Sequence, residues 1–114
     1  MARGELPGSF EQLVLLALLR LGEDAYGVSV QREILRRSGR DVSLGAVYAT
    51  LERMEEKGWI RSRVGAATAE RGGRAKRHYR IQASGSRALR DALAALDQMR
   101  EDLPGLAPAG GGST

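Results

Sequence analysis

Residues Val42–Ile60 read VSLGAVYATLERMEEKGWI, and the fold of the chain turns on them. Ser43 stands where a helix N-cap stands, since its side-chain oxygen can accept from an N–H of the first turn. From there Leu44, Val47, Leu51 and Met54 recur at three- and four-residue steps, which gathers them into one buried stripe of a helix running to about Lys57. At about 100° per residue the far side carries Gly45, Ala46, Ala49 and Arg53, with Tyr48 and Thr50 at its margins. That face is small and smooth at its N-terminal end, and Glu52, Glu55 and Glu56 are all held back to the C-terminal half. A helix with small, acid-free first turns can lie in a DNA major groove, where a bulky or anionic surface could not. An ordinary amphipathic helix with a solvated face fits the same residues, so the flanking sequence has to decide.

Downstream, Gly58 stops the helix, and Trp59-Ile60-Arg61-Ser62-Arg63-Val64 alternates oily and polar residues as a half-buried strand does. A return strand, Lys76–Ile81, puts Tyr79 and Ile81 on one face and Lys76, His78 and Arg80 on the other. Between them runs GAATAERGGRA (Gly65–Ala75), whose Gly72-Gly73 pair permits a sharp tip. Arg61, Arg63, Arg71, Arg74, Lys76, Arg77 and Arg80 face a single acid, Glu70, across this segment. The local charge is therefore +6 in a chain whose formal total is +4. Basicity concentrated in one ribbon is the footprint of a polyanion partner.

Upstream, Ser9 and Gln12 have capping-box spacing before an oily run, which predicts a first helix over about Phe10 to Leu21. Phe10, Leu13, Val14, Leu16, Ala17 and Leu18 wrap more than one stripe of it, so two sides need cover. After Gly22-Glu23-Asp24, a second helix over about Val28 to Arg37 points Val30, Ile34 and Leu35 inward and Gln31, Arg32, Glu33 and Arg36 outward. Three helices and a basic two-stranded ribbon make a winged helix-turn-helix over residues 9–82. The fold class is mainly α with a small two-stranded β wing.

A further helix is expected over residues 83–103, where Leu89, Leu93, Leu96, Met99 and Leu103 form an apolar seam. The seam either folds back on its own domain or pairs with a second copy. The small three-helix core and the surplus oily surface of the first helix favour a homodimer through a C-terminal dimerisation helix. Phe10, Leu13 and the seam residues are then its contacts. Residues 104–114, PGLAPAGGGST, are uncharged and rich in glycine and proline, and are expected as a disordered tail.

The motifs LGAVYATLERMEEKGWI, DAYGVSVQREI, ERGGRAKRHYRI and ASGSRAL, in their chain order, resemble the PadR family of bacterial transcriptional regulators over about Phe10 to Leu103. The resemblance implies a homodimeric winged-helix DNA binder, usually a repressor, whose last helix dimerises against the first. Tyr48 matches the family's recognition-helix tyrosine, and Gly58 the glycine that starts the wing. Ala49 stands where the family often has proline, and Gln82 where it commonly has threonine. Ser84 can cap the last helix in place of that threonine.

The combined reading is a cytoplasmic, sequence-specific regulator, a repressor, binding an inverted repeat of double-stranded DNA as a homodimer. The expected DNA-binding residues are Ser43, Gly45, Ala46, Tyr48, Ala49 and Thr50 on the helix, with Arg71, Arg74, Lys76 and Arg77 on the wing. The reading leaves room for a small-molecule effector of unspecified identity. The competing reading is a winged-helix module that binds an acidic protein. No enzyme, cofactor or metal site is expected, because the chain has no cysteine and one histidine, His78, without a spaced ligand partner. No membrane association is expected either, since the longest oily run, Leu13–Leu19, is far short of a span.

Overall fold

The computed structural model describes residues 5–67 and 75–108. Its elements are α1 (Ser9–Leu21), a 3-10 turn (Gly22–Asp24), α2 (Gly27–Ser38), α3 (Leu44–Glu56), β1 (Ile60–Ala67), β2 (Ala75–Ile81) and α4 (Ala83–Arg100). Among the described residues no helix is long and apolar enough to cross a membrane.

The cap of α1 lies one residue earlier than expected. Gly8 is the N-cap, and Glu11 Oε1 accepts from its N–H at 2.9 Å. The Ser9–Gln12 pairing does not form, because Ser9 already belongs to the helix and Gln12 Nε2 donates to the Pro7 carbonyl at 3.0 Å. Val14, Leu15, Ala17 and Leu18 enter the core, whereas Leu16 and Leu19 stay exposed.

On α2 two assignments are reversed. Leu35 is 47% exposed, while Glu33 is buried. Arg36 Nη2 meets Glu33 Oε1 at 2.8 Å and Arg37 Nε meets Oε2 at 3.4 Å. A carboxylate neutralised from the following turn can occupy a position that polarity alone would send to solvent. On α3 the stripe behaves as its spacing dictates: Val47, Leu51 and Met54 are fully buried and Leu44 is half-buried. Each fully buried side chain of this kind contributes about 1.5–3 kcal/mol relative to exposure.

Helix α3 ends in a Schellman turn. Gly58 takes φ 81°, a left-handed value that glycine adopts without a Cβ penalty. Its N–H donates to Glu55 O at 3.0 Å, and the Trp59 N–H donates to Met54 O at 3.1 Å. The chain is thereby turned straight into β1. Strands β1 and β2 pair antiparallel with Ile60 opposite Ile81, Ser62 opposite Tyr79 and Val64 opposite Arg77. The register shifts between Val64 and Ala67. A short third rung adjoins β2: Tyr26 bridges His78, and the Tyr79 N–H donates to Ala25 O at 2.9 Å. Ile60 and Tyr79 close the core against the helices, and Trp59 is buried with them.

Gln82 is the N-cap of α4, and its backbone N–H donates to Trp59 O at 2.8 Å. Ser84 is not the cap; it lies inside the first turn and its hydroxyl donates to Gly58 O at 2.7 Å. The seam divides in two. Leu89 is 3% exposed and Leu93 half-buried against the chain's own core, so the inner half needs no partner. Leu96, Met99 and Leu103 are exposed, Met99 to 77%. Phe10 and Leu13 also pack partly on the core, so the free apolar surface of α1 is Leu16 and Leu19. The helix ends at Arg100, three residues before Leu103. Leu106 and Ala107 then donate backbone N–H groups back to Leu103 O, both at 3.1 Å, and residues 109–114 lie outside the described residues.

Gly85 brings the α4 backbone against the Trp59 peptide. A Cβ there would overlap the Trp59 carbonyl oxygen and lie 3.0 Å from its carbon, and backbone cannot swing aside as a side-chain tip can. Gly85→Ala should therefore cost about 1–3 kcal/mol in urea unfolding. Gly45→Ala, where nothing lies within 4 Å, should be neutral or stabilising by up to about 1 kcal/mol.

Candidate nucleic-acid interface

The outer face of α3 has the expected texture. Gly45, Ala46 and Ala49 are exposed and Tyr48 is 41% exposed among them. Ser43 Oγ accepts from the Ala46 N–H at 3.0 Å, which caps the helix and leaves the hydroxyl hydrogen as a donor at its exposed N-terminus. Thr50 does not belong to this face: it is 3% exposed. Positions 47, 50, 51 and 54 follow the i, i+3, i+4, i+7 rule, which places Thr50 on the buried stripe. Its Oγ1 accepts from Arg53 Nη2 at 3.3 Å.

Of the α3 acids, Glu52 and Glu56 are exposed in the C-terminal half of the helix, and Glu55 is held by a specific partner. Glu55 Oε2 accepts from the Ser62 N–H at 3.1 Å and from the Ser62 hydroxyl at 2.8 Å, fastening the end of α3 to the wing. Burial holds the Tyr79 phenol above its ordinary value, so a neutral ring sits at the wing base. Arg77 is exposed and its Nη1 donates to Ser62 Oγ at 3.0 Å.

On the opposite face of the ribbon, Arg61 lies directly across from Arg80 and Arg63 across from His78. Arg61, Arg63 and Arg80 are exposed and, among the described residues, form no ion pair. Like charges in register destabilise a two-stranded sheet, a cost that a bound polyanion would remove. Lys76 Nζ lies 4.1 Å from the centroid of the Tyr26 ring, whose edge meets His78 at 5.7 Å between centroids. Arg71 and Arg74, also expected at the interface, lie outside the described residues.

Two features of this region have no simple periodicity in the sequence. One is Gly27, the first residue of α2, against which the end of the Tyr48 ring packs. The other is an ion cluster around the buried carboxylate of Glu11, under the C-terminal half of α3. Glu11 Oε2 accepts from Arg53 Nε and Lys57 Nζ, each at 3.2 Å, while Lys57 also covers the Trp59 ring at 4.6 Å. Arg53, which the helical wheel places outward, is thus tied to α1. Among the described residues, no three His, Asp or Glu side chains gather as a metal cluster.

A three-helix core with a pinned β ribbon and a smooth, exposed third helix defines a winged helix-turn-helix protein. Residues 15–91 match the model of the Transcriptional regulator PadR-like family, and the chain belongs to that family. No curated protein matches it. Solved structures share the fold. A PadR family transcription regulator from Clostridium difficile R20291 is 22% identical with a TM-score of 0.67, covering 81% of this chain and 91% of its own. A transcriptional regulator from Thermoplasma acidophilum is 24% identical with a TM-score of 0.66, covering 80% and 84%. Bacillus subtilis PadR, solved in complex with operator DNA, is 24% identical with a TM-score of 0.60, covering 72% of this chain and 46% of its own.

The Glu11 cluster carries a pH signature. Burial alone would raise the Glu11 carboxyl, but the Gly8 N–H, Lys57 and Arg53 together hold it below its ordinary 4.5. Folded protein then binds this proton less readily than unfolded chain, so the stabilisation is present above the ordinary value and is lost as pH falls through the lowered one. Glu11→Gln should lower stability at neutral pH by about 1.5–3 kcal/mol, the worth of hydrogen bonds to a charged group. It should also flatten the acid limb of a pH series of urea melts, leaving the part due to Glu33, which its hydrogen bond to Arg36 likewise lowers.

Proposed function

We propose that this chain is a sequence-specific DNA-binding repressor of the cytoplasm that binds an inverted-repeat operator as a homodimer. Helix α3 enters the major groove, and the wing lies on the flanking backbone or minor groove. The observation that carries this reading is the pairing of an acid-free surface, in which the exposed Tyr48 stands among the small residues Gly45, Ala46 and Ala49, with unneutralised cations on the ribbon. A groove-entering helix needs close approach, and backbone contacts need cations that are not already satisfied. The operator complex of Bacillus subtilis PadR supports it by fold. The dimer is supported by Leu96 and Met99 on α4, Leu103 just beyond its end, and Leu16 and Leu19 on α1, which expose apolar surface beyond what the chain's own core covers. A two-fold pair doubles the DNA contacts and calls for a symmetric site.

The wing separates this reading from binding to an acidic protein. Selection of bound duplexes from a random pool should return an inverted repeat. Replacing Arg74 and Lys76 by alanine removes up to four phosphate contacts from a dimer. The slope of log affinity against log salt should then flatten by up to about 3.6, with the preferred sequence largely kept. Slopes that stay as steep as in the wild type would take the wing off DNA.

Sedimentation at micromolar concentration tests the dimer. The wild-type chain should sediment as a dimer, and Leu96→Glu, which would bury an unpaired carboxylate at the contact, should yield folded monomers that bind DNA poorly.

A further inference from the structure

Tyr48 projects from α3, yet α2 limits where its ring can go. The far end of the ring, Cζ, Oη and Cε1, lies against the backbone of Gly27, so closely that a Cβ built on this glycine would overlap all three atoms. We propose that Gly27 is a positioning residue for DNA reading: its missing side chain is the seat that sets where the Tyr48 hydroxyl stands on the exposed face of α3. The proposal rests on the reading that this face meets DNA.

Glycine is not required here by the backbone. The described glycines with left-handed φ are Gly22, Gly39, Gly58 and Gly105, and Gly27 is not among them. At the first residue of a helix alanine is at least as well suited to the backbone as glycine. What alanine lacks at this position is room, and the atoms in its way are the far end of one side chain. Gly85 makes the contrast, since its obstruction is the Trp59 backbone. A methyl group at Gly85 strains the fold, whereas a methyl group at Gly27 can be accommodated by turning Tyr48 away. The damage should therefore fall on recognition and spare stability.

The seat is also tied to the wing. Gly27 directly follows Tyr26, which bridges His78 through the backbone and lies under Lys76 Nζ with its ring. The recognition tyrosine and a wing cation are thus both referenced to one dipeptide, Tyr26-Gly27. A shift at this dipeptide would misplace the two contacts together.

The test is a double-mutant cycle on the full chain, using the duplex returned by selection and measuring both affinity and the unfolding midpoint. Gly27→Ala should lose about tenfold or more in affinity with a midpoint near that of the wild type. Tyr48→Ala should lose a comparable factor, and the double variant should bind no worse than Tyr48→Ala alone. Wild-type affinity in Gly27→Ala, or a loss that recurs in full on the Tyr48→Ala background, would overturn the proposal. So would a destabilised Gly27→Ala whose midpoint Tyr48→Ala does not restore, because the glycine would then serve the α2 backbone. If Tyr48→Ala itself binds as the wild type does, the reading of Tyr48 as a DNA contact fails, and the seat fails with it. If Tyr48→Ala loses affinity while Gly27→Ala keeps it, the seat alone is wrong.

Discussion

The junction at Gly58-Trp59 is the constraint on which the architecture depends. Within two residues it accepts the end of α3 through the Trp59 N–H bond to Met54 O and the end of β2 through the Gln82 N–H bond to Trp59 O. It also receives the start of α4, through Ser84 on Gly58 O and the bare face of Gly85 on the Trp59 peptide. The indole itself is buried in the core that all three helices of the domain share. Helix, ribbon and C-terminal helix are therefore set relative to one another by main-chain groups, which have few alternative positions. A side-chain interface of the same size would allow far more adjustment.

Charge is sorted around that frame. Three acids are held by specific partners, Glu11 by Arg53 and Lys57, Glu55 by Ser62, and Glu33 by Arg36 and Arg37, while Glu52 and Glu56 stay exposed on the C-terminal half of α3. The ribbon arginines keep no such partners among the described residues. Interior acids are held by charge-assisted hydrogen bonds, and the uncompensated positive charge is left where long-range attraction acts through solvent.

Most of the architecture was legible in periodicity and punctuation. The 3- and 4-step stripe of α3, the glycine stop and the two-residue alternation of the ribbon each reflect one local rule, and each is found in place. What could not be read depended on partners distant in the chain. Glu33 reads as outward by polarity alone, because the pattern does not show that Arg36 and Arg37 neutralise it, and Leu35 reads as inward by default. Ser84 looked like a cap because serine usually is one; its hydroxyl instead serves a carbonyl 26 residues earlier. Thr50 sat at the margin of a helical wheel, where a small rotation decides between groove and core. In the site, Tyr48 was visible through family resemblance, but the role of Gly27 beneath it was not, since a glycine before a helix suggests a turn long before it suggests room for a ring. Arg53 fits the same pattern: its partner, Glu11, lies 42 positions upstream.

The contact at Gly85 has a mechanical consequence for the proposed dimer. Because Gly85 sets the α4 backbone against the Trp59 peptide, with hydrogen bonds at Gln82 and Ser84 on either side and Leu89 packed into the core, the helix leaves the domain as an arm fixed at its root. Two such arms joined near their ends behave like a fixed caliper, whose opening is the distance between the two reading helices. Each base pair inserted between half-sites rotates one of them by about 35° around the duplex axis as well as moving it along. A caliper stiff at both roots has no joint in which to absorb that rotation. In such a dimer spacing, as much as base identity, would be part of what is recognised, and the bending would have to come from the DNA.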